Sequence, residues 1–206
     1  SSDSSPLPTI QMNLRIGEFN LFDQTLHELH LNGQSVAGAA RFNPKLTLKS
    51  REINGSLEWL SGGPGRLNAR LDKLSLTKPE APAPLLQAKA TEVIDQLPAL
   101  DLQVEDFAFE GRSLGKLHLT AENDANAWNA RIGINNDDDN LQGTAMWQPH
   151  TGNTTQLQFK LKTRNIDRFL QRIGYDNVIR RGNASTSGTL TWRGPPFHID
   201  YPSLDG

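Results

Sequence analysis

Residues 98–104 read Pro-Ala-Leu-Asp-Leu-Gln-Val, and residues 8–14 read Pro-Thr-Ile-Gln-Met-Asn-Leu; both alternate apolar and polar side chains. Successive side chains of a β-strand point to opposite faces of the sheet, so each stretch predicts a strand with one apolar and one polar face. The same alternation recurs at Leu29/Leu31, Leu46/Leu48, Leu67/Ala69/Leu71, Leu117/Leu119, Ile132/Ile134 and Leu157/Phe159/Leu161.

Turn residues separate these stretches, for example Asn32-Gly33, Asn54-Gly55, Gly62 to Gly65 and Gly152-Asn153. Strands of a parallel sheet that is covered on both faces read as continuous apolar runs, which this chain does not show. Short alternating strands joined by tight turns therefore predict a mainly β, antiparallel architecture.

The alternating stretches also belong to a longer internal repeat. Ile10, Met12 and Leu14 match Leu100, Leu102 and Val104, and the spacing between matched positions stays at 88 to 90 residues as far as Gly55 and Gly143. One duplication with small loop insertions explains this spacing. We predict a first repeat unit at 8–84, a second at 85–181 and the start of a third at 182–206.

Three tryptophans each follow a glycine by four residues, in Gly55–Trp59, Gly143–Trp147 and Gly188–Trp192. The glycine sits where a predicted strand leaves its turn, and the tryptophan has the same parity along the strand. Two interpretations stay open: a close-packing glycine followed by an aromatic core anchor, or a tryptophan that lines a ligand-binding interior.

Two segments break the strand pattern. Ile166, Phe169, Leu170 and Ile173 have helical spacing, which predicts a helix over 165–174 with Asn165 as N-cap. A second apolar stripe predicts a helix over 85–97, which follows a proline-rich connector at 78–84 and ends at Pro98.

Bulk composition excludes several classes of protein. The 206-residue chain has a net charge of -2 and no cysteine, so it lacks the basic field of nucleic-acid binders, disulfides, cysteine zinc sites and thiol nucleophiles. It contains no apolar run of membrane-spanning length and no signal-peptide pattern at its start. We expect a soluble chain that is mature or part of a longer one, with no nucleic-acid partner.

Motifs for catalysis or metal binding are missing from the sequence. The five histidines do not form an HExxH motif, there is no G-x-S-x-G stretch, and Gly62 to Gly65 is not followed by the residues of a phosphate loop. Asp137 to Asp139 lie between asparagines, which favours a solvated hairpin turn over a calcium loop. We predict no enzymatic activity, no cofactor and no metal site.

Charge is unevenly distributed along the chain. Residues 160–181 carry seven basic residues against two acidic ones, and residues 101–139 carry nine acidic residues against three basic ones. The basic segment is either a solvated surface that the acidic segment partly neutralises or a rim that meets anionic headgroups or an acidic partner.

The second half of the chain resembles a known family. The run LPALDLQVEDFAFEGRSLGKLHLTA at 97–121 and the run RFLQRIGYDNVIRRGNASTSGTLTWRGPPFHIDYPSLDG at 168–206 are similar to the AsmA-like family, in particular its YhdP branch. The first unit fits more loosely, through its strand pattern and GSLEW at 55–59. This resemblance implies an internal fragment of a long protein of Gram-negative bacteria.

Further expectations follow from the resemblance. It implies an inner-membrane anchor through an N-terminal helix missing from this chain, a periplasmic location and neighbouring repeats of the same parent chain as partners. It also implies a curved sheet, a β-taco or repeating β-groove with short helices, whose apolar trough conducts phospholipid acyl chains towards the outer membrane. The alternative is a closed β scaffold or interaction module in cell-envelope assembly.

The predicted lipid-binding residues are apolar or aromatic residues of the predicted strands and of the end of the chain. They are Leu100, Leu102, Val104, Phe107, Phe109, Leu117, Leu119, Ile132, Ile134, Trp147, Leu157, Phe159, Leu161, Leu190, Trp192, Phe197, Ile199 and Tyr201.

Overall fold

The computed structural model describes residues 9–21, 24–36, 44–77, 98–124, 126–175, 182–196, 199 and 201–206. Within them the chain forms one sheet of eleven strands, whose order in the sheet is their order in the sequence. The predicted mainly β class is confirmed. The strands are β1 (Thr9–Leu21), β2 (Gln24–Val36), β3 (Lys45–Lys49), β4 (Ile53–Leu60), β5 (Arg66–Leu76), β6 (Ala99–Phe109), β7 (Arg112–Asn123), β8 (Trp128–Asn135), β9 (Asp139–Gln148), β10 (Thr154–Thr163) and β11 (Ala184–Arg193).

The sheet is open and curved, as predicted. In the described part of the chain no ladder joins β1 to β11, so these two strands form its edges. Beside β11, Thr191 forms an isolated antiparallel bridge with Asp205, just after a 3-10 turn at Tyr201–Ser203.

One strand pair differs from the predicted antiparallel arrangement. The β5–β6 ladder is parallel, with Arg66 opposite Ala99 and Leu76 opposite Phe109, whereas the other ladders between described strands are antiparallel. A parallel pair needs a connection of about a dozen or more residues to return to the starting end. The stretch between β5 and β6, predicted as a connector and a helix, has the length for this return.

A charged cluster ties the parallel pair together. Arg70 on β5 forms an ion pair with Asp101 on β6 at 2.9 Å (Nη2 to Oδ2), and His118 Nε2 on β7 lies 3.5 Å from Asp101 Oδ1. The Arg70 hydrogen bond holds the pKa of the Asp101 carboxyl below its usual value, against the opposing effect of partial burial. The Arg70 and His118 charges lower this pKa further.

This depressed pKa gives a pH-dependent contribution to stability. A carboxyl with a lowered folded-state pKa stabilises the fold above its unfolded pKa of about 4, and this contribution is lost as the pH falls towards the folded pKa. We therefore expect Asp101→Asn to lower the free energy of unfolding at neutral pH and to flatten its decline in acid. Urea denaturation between about pH 6 and pH 3 measures this; parallel pH profiles for the two proteins would contradict it.

The register collects apolar side chains on one face of the sheet, called here the apolar face. Directly opposite residues on neighbouring strands project from the same face. One row of such partners crosses ten strands and consists of Leu14, Leu31, Leu48, Gly55, Leu71, Val104, Leu117, Ile134, Leu141 and Leu161. The opposite side of the sheet, the polar face, carries the alternating hydrophilic residues.

The same register relates the two halves of the sheet. Successive partners across β2 to β5 are Leu31, Leu48, Gly55 and Leu71, and across β7 to β10 they are Leu119, Ile132, Gly143 and Phe159. Three of the four pairs of corresponding residues are 88 positions apart in the sequence: Leu31 and Leu119, Gly55 and Gly143, and Leu71 and Phe159. Gly55 and Gly143 thus occupy the same place in their halves.

For β1, the strand register matches the two repeat units differently from the alternating side chains. Leu14 is the partner of Leu31, and Leu102 is the partner of Leu119, so Leu14 corresponds to Leu102 and not to Val104. This places Leu14 and Leu102 at the same 88-residue spacing that relates Phe19 to Phe107. The predicted unit boundaries stay predictions, since 78–97 and 176–181 lie outside the described residues.

The glycines of the repeated glycine–tryptophan motif leave room for atoms of the neighbouring strands to lie close to them. A Cβ added at Gly143 would lie 2.9 Å from Ile132 Cγ2 and 3.2 Å from Leu157 Cδ1, and one at Gly55 would lie 2.6 Å from Leu71 Cα. These contacts confirm a close-packing role for the two glycines on the apolar face.

We expect Gly143→Ala to lower the free energy of unfolding by about 1–3 kcal/mol, because the new methyl overpacks Ile132 and Leu157. Gly133→Ala is the matched control: it lies on neighbouring β8, where an added Cβ meets nothing closer than 4.0 Å. That variant is expected to keep or slightly raise stability through the lower entropy of its unfolded chain. Equal denaturation midpoints for the two variants would contradict the close contact.

One helix is present among the described residues, α1 (Ile166–Arg172). Asn165 Oδ1 accepts a hydrogen bond from the Arg168 backbone N–H at 3.2 Å, and Gly174 follows the helix with φ +98°. The helix predicted over 165–174, with its N-cap, is thus confirmed. The helix predicted over 85–97 lies outside the described residues.

Candidate functional site

The apolar face brings together most of the residues predicted from sequence to bind lipid. All except Phe197, Ile199 and Tyr201 lie on it, and most of them pair across the sheet in register with one another. Phe107 and Phe109 follow a register shift after Val104, and Phe107 packs in the same buried cluster as Val104. Phe197 lies outside the described residues, Ile199 is exposed, and Tyr201 begins the 3-10 turn beyond β11.

Exposure varies along the apolar face. Its middle is buried, and Val104 and Leu117 retain only 2% and 6% of their accessible surface. On edge strand β1, by contrast, Leu14 is 44% exposed and Phe19 is 39% exposed. The face therefore offers apolar surface to a ligand at the β1 edge and packs as a core through β5 to β7.

A row of small residues crosses the second half of the apolar face. Ala121, Ala130 and Ala145 lie directly opposite one another on β7, β8 and β9. Larger side chains flank them, with the Leu119–Ile132 pair on one side and the Trp128–Trp147 pair on the other. Ala121 and Ala130 are buried, at 1% and 6% exposure, so this row belongs to the packed part of the apolar face.

Tryptophans lie beside this row of small residues, since the Trp128–Trp147 pair is next to the Ala130–Ala145 pair. Trp147 is fully buried and donates from Nε1 to Asn153 Oδ1 at 3.0 Å, and Trp192 donates from Nε1 to the Pro195 carbonyl at 3.2 Å. Trp128 Nε1 is buried without a hydrogen-bond partner in the described structure. Trp147 and Trp192 are thus core anchors, whereas the interpretation that they line a ligand-binding interior stays a prediction.

A buried ion pair lies at the other end of the strands. Asp139 is 5% exposed and projects from the apolar face, because it pairs with Thr163 two residues from the Leu141–Leu161 pair. Thr163 Oγ1 donates to Asp139 Oδ1 at 2.6 Å, and Arg172 of α1 donates to Asp139 Oδ2. The ion pair holds α1 over this end of the apolar face.

Asp139 is the residue that sequence reasoning missed. It was assigned with Asp137 and Asp138 to a solvated turn, and that prediction is wrong for Asp139. The available signal was its parity, since Asp139 stands two residues before Leu141 on the same strand. Its partner Arg172 lies on a helix 33 residues later, and alternation carries no information about such a contact.

The polar face has a different chemistry. A depression of about 420 Å³ is lined by polar side chains of this face and by four apolar residues. The polar residues include Thr120, Glu122, Arg131, Thr144 and Gln158, and the apolar ones are Ala121, Ala130, Ala145 and Met146. Acyl chains laid over the polar side chains would leave them without hydrogen-bond partners, which costs free energy. The apolar face is therefore the candidate site.

The sequence match decides the family. The YhdP protein family is matched by residues 1–206, the full length given. The chain belongs to the YhdP family. No curated protein and no solved structure matches it significantly. The YhdP family is associated with lipid transport or cell-envelope function.

One histidine of this YhdP-family chain, His27, lies beside a carboxylate and a serine. His27 Nδ1 lies 2.8 Å from Glu52 Oε1, and Ser50 Oγ donates to Glu52 Oε2 at 3.1 Å. Burial raises the pKa of the Glu52 carboxyl, but hydrogen bonds from His27 and Ser50 outweigh it and lower the pKa overall. The Ser50 hydroxyl is bonded to the carboxylate and not to the imidazole that would have to activate it as a nucleophile.

The described residues include no group of three or more histidine, aspartate or glutamate side chains placed to hold a metal ion. No helix among them has the length and hydropathy required to cross a bilayer.

Proposed function

We propose that this YhdP-family segment carries phospholipid acyl chains along its apolar face, as part of a bridge between the inner and outer membranes. The observation that carries the proposal is an apolar face continuous over ten strands of an open, curved sheet. An open sheet with one apolar face needs a cover, and lipid chains can supply part of it.

The dimensions of the sheet suit this role. Strands lie about 4.8 Å apart, so eleven strands extend for about 50 Å along the sheet. Two acyl chains end to end span the roughly 30 Å hydrocarbon core of a bilayer. The apolar face is therefore long enough for more than one chain in file across the strands.

The composition of the face favours sliding over tight binding. Burying a methylene contributes roughly 0.8 kcal/mol wherever the surface is apolar. The leucines, alanines and isoleucines that line the face offer similar surfaces at successive strands. A chain that moves by one strand exchanges one apolar contact for another, so no single position traps it.

The same proposal includes location and partners. The parent chain lies in the periplasm, anchored in the inner membrane, and neighbouring repeats continue the sheet. The long edge strand β1, with exposed Met12, Leu14 and Phe19 on its apolar side, supports such a continuation. The lack of cysteine is compatible with an oxidising compartment.

Mass spectrometry of organic extracts from the purified chain tests the proposal. Near-stoichiometric phospholipid per chain is the expected result. The dye ANS, which fluoresces on apolar surfaces, is also expected to bind and to be displaced by added phospholipid.

The buried middle of the apolar face favours the competing function, a closed scaffold. Lipid-free, dye-silent protein with a cooperative unfolding transition would establish that scaffold and overturn the proposal.

A further inference from the structure

Two cations of the polar face border one depression in the second half of the sheet. Arg131 on β8 and Lys160 on β10 line a depression of about 480 Å³ together with Gly133, Gln142 and Thr144. These residues share the polar face, because Arg131 pairs with Thr144, and Gln142 pairs with both Gly133 and Lys160. The two cations stand on either side of β9, roughly 10 Å apart across the strands. We call this place the basic depression.

Gly133 leaves the floor of the basic depression open. A Cβ added there would meet no atom closer than 4.0 Å, the distance to the His118 carbonyl oxygen. The neighbouring Arg131, Gln142 and Lys160 are all exposed. The space above Gly133 is therefore open from solvent to a ligand group.

The two cations of the basic depression are unpaired in the described part of the chain. No carboxylate there lies within ion-pair distance of Arg131 or Lys160, and none of the described residues that line the depression is acidic. Glu122, the carboxylate on β7 that lines the neighbouring depression, pairs with Arg66 at 3.5 Å instead. Two positive charges are thus available to an anionic ligand.

Neutral hydrogen-bonding side chains continue the basic depression along the strands. Arg131 and Thr144 also line the neighbouring depression of about 420 Å³, together with Thr120, Gln156 and Met146, which is 37% exposed. Amide and hydroxyl groups can donate and accept hydrogen bonds, as sugar hydroxyls do. An exposed methionine offers a flexible apolar surface to the C–H groups of a sugar ring. The combination fits a ligand that carries few negative charges and many hydroxyl groups.

We propose that the polar face binds an acidic oligosaccharide, with a carboxylate of one sugar in the basic depression between Arg131 and Lys160. Guanidinium and ammonium groups bind carboxylates through charge-assisted hydrogen bonds. An acidic peptide fits less well, because extended peptides bind sheets through backbone groups at an edge strand, whereas β8, β9 and β10 are paired on both sides. The site lies on the opposite side of the sheet from the apolar face and is therefore independent of the proposed lipid path.

Isothermal titration calorimetry at low salt with three soluble probes tests the site: trigalacturonic acid, its neutral methyl ester and triglutamate. The unmodified chain is expected to bind trigalacturonic acid about tenfold more tightly than the ester, because only the acid offers carboxylates to the two cations. Arg131→Gln with Lys160→Gln is expected to abolish this preference. Arg15→Gln with Lys49→Gln is the matched control and is expected to keep it, since this pair removes the same charge from exposed positions of the polar face on β1 and β3.

Gly133→Leu tests the same site without a change of charge. The added side chain occupies the space above the floor of the basic depression, so a severalfold loss of affinity for trigalacturonic acid is expected. This variant also carries the test if the double variant of Arg131 and Lys160 does not fold. An unchanged affinity in Gly133→Leu, or an unchanged preference in the double variant, overturns the site.

Three other outcomes would also overturn the inference. If the control variant of Arg15 and Lys49 loses the preference as well, the effect is a general attraction of charge and not a site. If triglutamate binds as tightly as trigalacturonic acid, the ligand is not a saccharide. If the unmodified chain shows no preference for the acid over the ester, the basic depression binds no acidic sugar, and the proposed lipid path along the apolar face is unaffected.

Discussion

Phe159→Asp is expected to reduce the phospholipid that copurifies with the chain by about tenfold or more, because a carboxylate on the apolar face cannot be solvated beneath an acyl chain. Phe159 lies between Gly143 and Gly188 on the neighbouring strands, and its ring packs where a Gly188 Cβ would stand, with Cε1 at 3.0 Å. A charge there interrupts the face across three strands at once. Extracted phospholipid per folded chain is the measured quantity.

Two controls separate loss of lipid from loss of folding. Gln158→Asp places the same charge one residue away on the exposed polar face and is expected to keep its lipid. Phe159→Leu preserves an apolar side chain and is expected to keep most of it. A folded Phe159→Asp chain that carries lipid as the unmodified one does would contradict a lipid path along this face. Equal loss in Gln158→Asp would instead point to a general effect of charge.

Trp147→Ala is expected to produce the largest loss of stability of any single substitution considered for this chain, about 3–5 kcal/mol, because it empties a fully buried site. The substitution also leaves Asn153 without the indole N–H that now donates to it. Urea denaturation followed by circular dichroism measures the change. At the corresponding place in the first half, Trp59 is only half-buried, so Trp59→Ala is expected to cost clearly less. A loss below about 1 kcal/mol for Trp147→Ala would show that the site collapses around the missing ring.

Alternation predicted the strands well because the sheet presents one face to apolar surroundings and the other to water. Residues such as Leu100, Leu102 and Val104 carry this signal themselves, so it survives without knowledge of the partners. Strand direction is different. Leu67 and Leu100 alternate identically whether their strands run parallel or antiparallel, and the parallel β5–β6 pair therefore had no signature in the pattern.

The apolar face, like the strands, was predictable from the alternation of apolar and polar residues. Parity placed the apolar residues on one face, and the glycine–tryptophan spacing located β4, β9 and β11, where alternation is weaker. The buried ion pair, by contrast, required Asp139 on β9 to meet Arg172 on α1. Such contacts depend on where a helix docks on the sheet, and local residue preferences do not encode it.

Strand order equal to sequence order has a further consequence for how this molecule folds and changes. Each strand is hydrogen-bonded to the strands before and after it in the chain, so stability is close to a sum of local terms and nearest-neighbour couplings. Such an arrangement has low contact order within each hairpin and can begin to fold at any of them, with growth in either direction. Insertion or deletion of a whole hairpin then alters the length of the assembly while the remaining interfaces are kept. A chain built in this way can be lengthened or shortened without redesign of its interior.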